Sequence, residues 1–115
     1  MRRATTSQPV IGAYRVELVS GYSVNTEFGG HGVGRTMHQD PHIPNTGRPG
    51  RGYPLQAGLV LAVEPWVMIA TDTLTVDPDG WTLRSSNGAR TAHHEHTVAI
   101  TEDGPLVLTL PDLHS

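Results

Sequence analysis

Four side chains in this sequence have the types and spacing of a hydrolytic metal site. His31 and His38 lie seven residues apart, on either side of a glycine-rich turn in the segment GGHGVGRTMHQDP. Glu64 ends the apolar run LVLAVEP, and Glu95 lies within HHEHTVAIT. One imidazole and two carboxylates suit divalent ions such as Mn, Fe, Co or Zn, and a carboxylate can bridge two such ions. The sequence therefore offers metal ligands at positions far apart along the chain.

The surroundings of the two glutamates favour that interpretation. Glu64 follows residues that are otherwise typical of a core strand, so its carboxylate has to be paired, protonated or metal-bound to offset its desolvation. A salt bridge to an arginine is the simpler alternative. For Glu95, strand alternation predicts the face of Thr97, opposite His94 and His96. A paired-metal site needs about four or five ligands, of which one imidazole and two carboxylates are visible here.

The remaining histidines divide into one candidate and several ordinary residues. His38 is a candidate for orienting a substrate or passing a proton, because a free imidazole titrates near neutrality. For His42, His93 and His114 we expect ordinary exposed side chains. Adjacent strand residues point to opposite faces, so the run 93–96 cannot converge on one zinc ion, and it lacks the HExxH spacing. The sequence does not predict a zincin.

Composition limits the class of protein. A chain of 115 residues is long enough for one small domain, and 13 glycines with 9 prolines predict many loops. The net charge is -3, and the eight cations are scattered arginines that form no basic stripe, so we expect no nucleic-acid ligand. The absence of cysteine excludes disulfides and thiolate zinc sites and fits a cytoplasmic protein. The longest apolar run, 59–63, is too short to span a membrane.

Periodicity and turn signals predict an α+β protein with one N-terminal helix followed by a mainly antiparallel sheet. Residues 1–6 are expected to be disordered, and Ser7 is a suitable cap for a helix that ends at Gly21. Turns are predicted at Asp77–Gly80, Asn87–Gly88 and Asp103–Gly104, and an extended loop at 39–57. The predicted strands are 22–28, 59–69 with a break at Glu64–Pro65, 81–84, 91–101 and 106–110.

Four segments, in order and at matching spacing, resemble one known family. GGHGVGRTMHQDP is similar to a GHGIGxxxHxxP segment, and GLVLAVEPW to GMxFTIEPM. PDGWT is similar to DGWT, and TAHHEHTVAITEDGPLVLT to AQxEHTxxVTxxGxxxLT. These are segments of the C-terminal half of type I methionine aminopeptidases, which have the pita-bread metallohydrolase fold. The resemblance extends from about residue 22 to residue 110 and implies that 7–115 is a partial catalytic domain of this kind.

The resemblance also implies roles for individual residues. His31, Glu64 and Glu95 match three of the family's five metal ligands, with Glu95 as the bridging carboxylate between two divalent ions. His38 matches a histidine that contacts the substrate near the scissile amide, and Trp81 matches a tryptophan that lines the active-site region. The implied reaction is the removal of the initiator methionine from nascent polypeptide N-termini, in which Glu64 helps to move protons.

Two departures from the family pattern accompany the resemblance. The other two metal ligands of the family are aspartates in its N-terminal half, and this sequence contains no match to them. The loop that follows the HxxP segment also differs, with Pro44 and Asn45 where an aromatic residue is usual. We therefore expect the chain alone to be weakly active or inactive.

Two other hypotheses remain beside the enzyme fragment. The chain could be a non-catalytic module or remnant of the same fold, completed by a separate N-terminal half or by self-association. It could also be an all-β domain whose histidines and glutamates are incidental, although two glutamates in buried strands then need a separate explanation.

Overall fold

The structure is a computed structural model that describes residues 21–48 and 51–112. These residues form strands and no helix, and the helix predicted from Ser7 lies outside them. None of the described residues belongs to a helix long and apolar enough to cross a membrane. The strands are β1 (Ser23–Val24), β2 (Gly30–Gly32), β3 (Gln39–Ile43), β4 (Val60–Val63), β5 (Trp66–Met68), β6 (Leu74–Val76), β7 (Leu83–Ser85), β8 (Thr91–His93), β9 (His96–Thr101) and β10 (Gly104–Val107).

A five-stranded antiparallel sheet forms the centre of the described fold. Its order is β10-β9-β4-β2-β3, so β4 lies between β9 and the glycine-flanked strand β2. Leu61 of β4 pairs with Val98 of β9, and Ala62 pairs with His31 of β2. Leu61 and Ile43 are fully buried and form the core of this sheet, with Leu55, Val63 and Ile100 packed against them.

A three-stranded sheet of order β1-β5-β8 adjoins the first sheet. Three connections lead from one sheet into the other: β1–β2, and the pair β4–β5 and β8–β9, which lie side by side. Strand β4 ends at Val63 and β5 begins at Trp66, which confirms the predicted break at Glu64–Pro65. Proline has no N–H for the ladder, so pairing stops there and resumes in the second sheet. The β8–β9 connection returns from the three-stranded sheet to the five-stranded sheet through His94 and Glu95.

The β8–β9 connection corrects one predicted strand. Residues 91–101 form two strands in different sheets, not one, because β8 pairs with β5 while β9 pairs with β4. The β8–β9 connection lies opposite the β4–β5 connection, and the backbone N–H of His94 in the former donates to the carbonyl of Pro65 in the latter at 3.1 Å. Glu64 and Glu95 therefore lie in two neighbouring connections, β4–β5 and β8–β9, at the junction between the two sheets.

Other strand boundaries differ from the sequence predictions in smaller ways. The predicted loop 39–57 begins with β3, and Pro41 is accommodated there because β3 is the edge of the sheet. The predicted strand 22–28 is paired only at Ser23–Val24, since the Asn25 side chain then accepts hydrogen bonds from the backbone N–H groups of residues 27 and 28. Strands β7 and β10 are displaced by two residues at their starts, to 83–85 and 104–107.

The predicted turns are present, and two of them close hairpins. Gly80 donates its backbone N–H to the carbonyl of Asp77 at 2.9 Å and has a φ of 75°, which glycine adopts without strain. The turn that joins β9 to β10 is Glu102–Asp103, one residue earlier than predicted, because Gly104 already pairs with Thr101. The turn at Asn87–Gly88 is formed but joins β7 to β8, which pair with different strands, so it closes no hairpin.

Replacement of Gly30 tests how closely β2 packs in the five-stranded sheet. A Cβ atom at this position would lie 2.0 Å from the backbone oxygen of Ala62, so Gly30→Ala has to separate β2 from β4. We expect a loss of more than about 3 kcal/mol in the free energy of unfolding, measured by urea denaturation. Gly88→Ala is the comparison: its Cβ meets open space, and only the positive φ costs about 1–2 kcal/mol. Equal losses in the two variants would contradict this packing.

Candidate metal centre

Strand β2 positions His31 at the centre of the candidate site. Gly30 and Gly32 flank it, and their missing side chains let β2 lie against Ala62 on one side and Asp40 on the other. The Nδ1 atom of His31 lies 2.9 Å from the carbonyl oxygen of Gly32. A carbonyl can only accept, so Nδ1 donates, and Nε2 points away from the backbone; in the neutral form of the ring this second nitrogen carries the lone pair.

Glu64 extends its carboxylate towards Nε2 of His31. Its Oε1 lies 3.1 Å from His31 Nε2, and its side chain is only 18% exposed. Asn45 holds the backbone at this point, because its buried side-chain amide donates to the carbonyl of Glu64 at 3.0 Å and to that of Phe28 at 3.2 Å. The sequence left open a salt bridge between Glu64 and an arginine, and this alternative is wrong. Among the described residues, the ionic partners of Glu64 are two histidines.

Glu95 completes a cluster of three potential ligands. One ligand atom from each of His31, Glu64 and Glu95 lies within 4.8 Å of the other two. Glu95 comes from the β8–β9 connection between the sheets and is exposed, whereas His31 and Glu64 are partly buried. The three residues that the sequence predicted as ligands are therefore brought together.

The donor set fits a divalent cation. If Nδ1 of His31 holds the proton of a neutral ring, then Nε2 and the Glu64 oxygen are both hydrogen-bond acceptors. Two acceptors 3.1 Å apart repel each other unless they share a proton or a metal ion. One imidazole nitrogen with carboxylate oxygens is a ligand set for borderline to hard divalent metals.

Of the two other predicted site residues, His38 lies beside the cluster, whereas Trp81 lies on an exposed turn. The ring of His38 lies next to that of His31, with 4.3 Å between the ring centroids and 51° between the planes, so this imidazole is at the edge of the cluster. Trp81 lies on the turn between β6 and β7 and is 89% exposed. Its assignment to a substrate pocket stays a prediction.

Comparisons with known proteins agree with this geometry. The family model for metallopeptidase family M24 matches residues 3–102. The chain belongs to metallopeptidase family M24. Methionine aminopeptidase 1 of Mycobacterium tuberculosis is 52% identical over 89 residues, which are 77% of this chain and 34% of that protein. The methionine aminopeptidase of Clostridium perfringens is 50% identical over 91 residues, which are 79% of this chain and 36% of the relative.

Solved structures of methionine aminopeptidases have the same fold as this M24 chain. The Thermotoga maritima protein has a TM-score of 0.83 and 41% identity, and the match covers 96% of this chain and 45% of that one. The Rickettsia prowazekii protein has a TM-score of 0.82 and 33% identity, with 94% and 45% covered. The predicted pita-bread half is confirmed, and this chain spans about a third of the length of the curated relatives it matches.

One residue of the site was missed by sequence reasoning. His93 is exposed, as expected, but it also places Nε2 3.2 Å from Oε2 of Glu64, a contact that the sequence did not predict. Its ring also packs against Trp66, with 5.2 Å between the centroids. The available signal was the two-residue period of a strand, because His93 precedes Glu95 by two positions and alternation predicts the same face.

The other two histidines of the HHEH run lie on the opposite side, as predicted from alternation. Nε2 of His94 is 2.9 Å from Nε2 of His96, whose Nδ1 lies 2.8 Å from the hydroxyl of Thr109. Both line an apolar cleft of about 420 Å³ together with Val98 and Ile100. The run therefore divides between two faces and forms no single zinc site.

Loss of the Glu64 charge tests the cluster as a metal centre. Glu64→Gln keeps the size of the side chain but replaces one anionic oxygen with an amide group, so we expect the affinity for Co²⁺ or Mn²⁺, measured by isothermal titration calorimetry, to fall by more than about tenfold. Glu27→Gln is the matched control, because Glu27 is exposed and outside the cluster. Unchanged affinity in Glu64→Gln would exclude this residue as a ligand.

A second prediction concerns the turn that presents Trp81. Hydrogen bonds from the Thr82 side chain, then from the backbone N–H groups of Thr82 and Trp81, hold the pKa of Asp79 below its ordinary value of 3.8. A lowered folded-state pKa contributes stability above pH 3.8 that is lost as the pH falls through the folded-state value. We therefore expect Asp79→Asn to lower the Tm at pH 7, and the difference from wild type to shrink below pH 3.8. Asp103→Asn, in the β9–β10 turn, serves as control. A difference that is independent of pH would refute this account.

Proposed function

We propose that this chain provides a large part of the active site of a metal-dependent aminopeptidase that removes N-terminal methionine from nascent polypeptides in the cytoplasm. The observation that supports this most directly is the convergence of His31, Glu64 and Glu95 within 4.8 Å. The membership in family M24 and the names of the relatives support the same reaction.

In this proposal the three residues would hold two divalent ions of Co, Mn, Fe or Zn. Such ions, when bound, polarise the scissile carbonyl and make water acidic enough to attack it near neutral pH. Glu64, which already lies between two imidazoles, accepts and passes on the proton. His38 offers its ring N–H to the oxygen that becomes negative in the transition state.

The ligand set needs completion by other residues. The described residues supply one cluster of three ligands, and a paired-metal site needs about four or five. We propose that two aspartates on a segment outside 7–115, in the same or in a separate polypeptide, supply the rest. Trp81 then lines the pocket for the methionine side chain.

A chimera tests this function with the residues in their proposed setting. The N-terminal part of the Mycobacterium tuberculosis relative that the match leaves uncovered would be fused to this chain. We expect the chimera to hydrolyse Met-Gly-Met with added Mn²⁺ or Co²⁺, and His31→Ala or Glu95→Gln to reduce kcat/KM by about 10³-fold or more. Glu102→Gln, an exposed change in the β9–β10 turn, is the control. The 115-residue chain alone should show weak hydrolysis or none.

Two results would contradict the proposal in different ways. A folded chimera that binds metal and leaves Met-Gly-Met intact would refute the aminopeptidase activity and support a non-catalytic module of the same fold. Rapid hydrolysis by the 115-residue chain alone, abolished by His31→Ala, would refute the need for further ligands.

A further inference from the structure

The carboxylate of Glu64 has a different imidazole at each of its two oxygens. Oε1 lies 3.1 Å from Nε2 of His31, and Oε2 lies 3.2 Å from Nε2 of His93. Only the first of these imidazoles belongs to the set of ligand atoms that lie within 4.8 Å of one another. The two histidines therefore have different relations to a metal ion bound by that set.

We propose that His93 is a positioning residue for the metal ligand Glu64, an inference that rests on the proposed function. An ionised carboxylate only accepts hydrogen bonds, so Nε2 of His93 donates its N–H to Oε2. This bond fixes the rotation of the carboxylate and keeps Oε1 directed towards His31 and the cluster. Hydrogen bonds from a second layer of residues orient metal ligands in this way.

Trp66 supports one side of the His93 ring, whose side chain is 38% exposed. Its β8 position is paired with Trp66 of β5, and the two rings are 5.2 Å apart at an angle of 46°. The indole N–H of Trp66 donates to the hydroxyl of Thr91, which in turn donates to the carbonyl of Val67 at 3.0 Å. Phe28 packs on the indole at a centroid distance of 5.9 Å. The ring therefore rests on a side chain that is itself held by hydrogen bonds and packing.

Two substitutions separate the hydrogen bond of His93 from its ring. His93→Phe keeps an aromatic ring beside Trp66 but has no N–H to donate. His93→Gln removes the ring but keeps an amide N–H within reach of Glu64, and glutamine is also the residue at this position in the AQxEHT segment that the chain resembles. A positioning role predicts that the glutamine variant retains the function that the phenylalanine variant loses.

The measurement is the Co²⁺ affinity of the 115-residue chain at one fixed pH, by isothermal titration calorimetry and by visible absorption of the bound ion. We expect His93→Phe to weaken binding by about 10-fold to 100-fold, and His93→Gln to stay within about 3-fold of the wild type. The Tm of each metal-free variant, measured in parallel, should stay close to that of the wild type.

Two outcomes would overturn the inference. These are an unchanged affinity in His93→Phe, and an equal loss in the glutamine and phenylalanine variants. Neither of them decides the proposed aminopeptidase activity, because that activity is tested by peptide hydrolysis in the chimera. Hydrolysis by the chimera together with either of these results would leave the function in place and remove the role of His93.

Discussion

Proline cannot donate a hydrogen bond to a β-ladder, and in this chain that constraint falls directly after Glu64. The chain therefore leaves the five-stranded sheet at Glu64–Pro65, and the antiparallel segment returns to it through His94 and Glu95. The hydrogen bond from His94 to Pro65 keeps the two crossings side by side. Both glutamates lie outside the strands, at the points where the chain passes from one sheet to the other. The metal-ligand cluster depends on this shared interruption.

Close backbone packing supplies the third ligand. His31 comes from a short strand whose two glycines allow β4 and β3 to approach within distances that no Cβ atom would tolerate. The same strand then directs Nδ1 to its own backbone and Nε2 to Glu64. Sheet geometry therefore selects the tautomer of a neutral His31 ring, because the backbone hydrogen bond holds the proton on Nδ1 and leaves the lone pair on Nε2.

The two sides of the junction have opposite chemical character. Glu95 joins the polar cluster, whereas His94 and His96 face the other way, onto an apolar cleft that includes Val98 and Ile100. A two-residue period explains this division, and it also explains how a run of four titratable residues contributes to two different environments. This arrangement is consistent with a chain of family M24, whose solved relatives share the fold at TM-scores of 0.82 to 0.83.

The sequence by itself determined the ligand types, the family, the break at Glu64–Pro65 and the turn at Asp77–Gly80, because each depends on side-chain chemistry or on local backbone limits of proline and glycine. Only the tertiary structure decided that 91–101 divides between two sheets, that β3 pairs at an edge, and that His93 contacts Glu64. Those features depend on which strands pair across long stretches of chain. Local periodicity contains no information about such partners, since the same alternation is compatible with many registers.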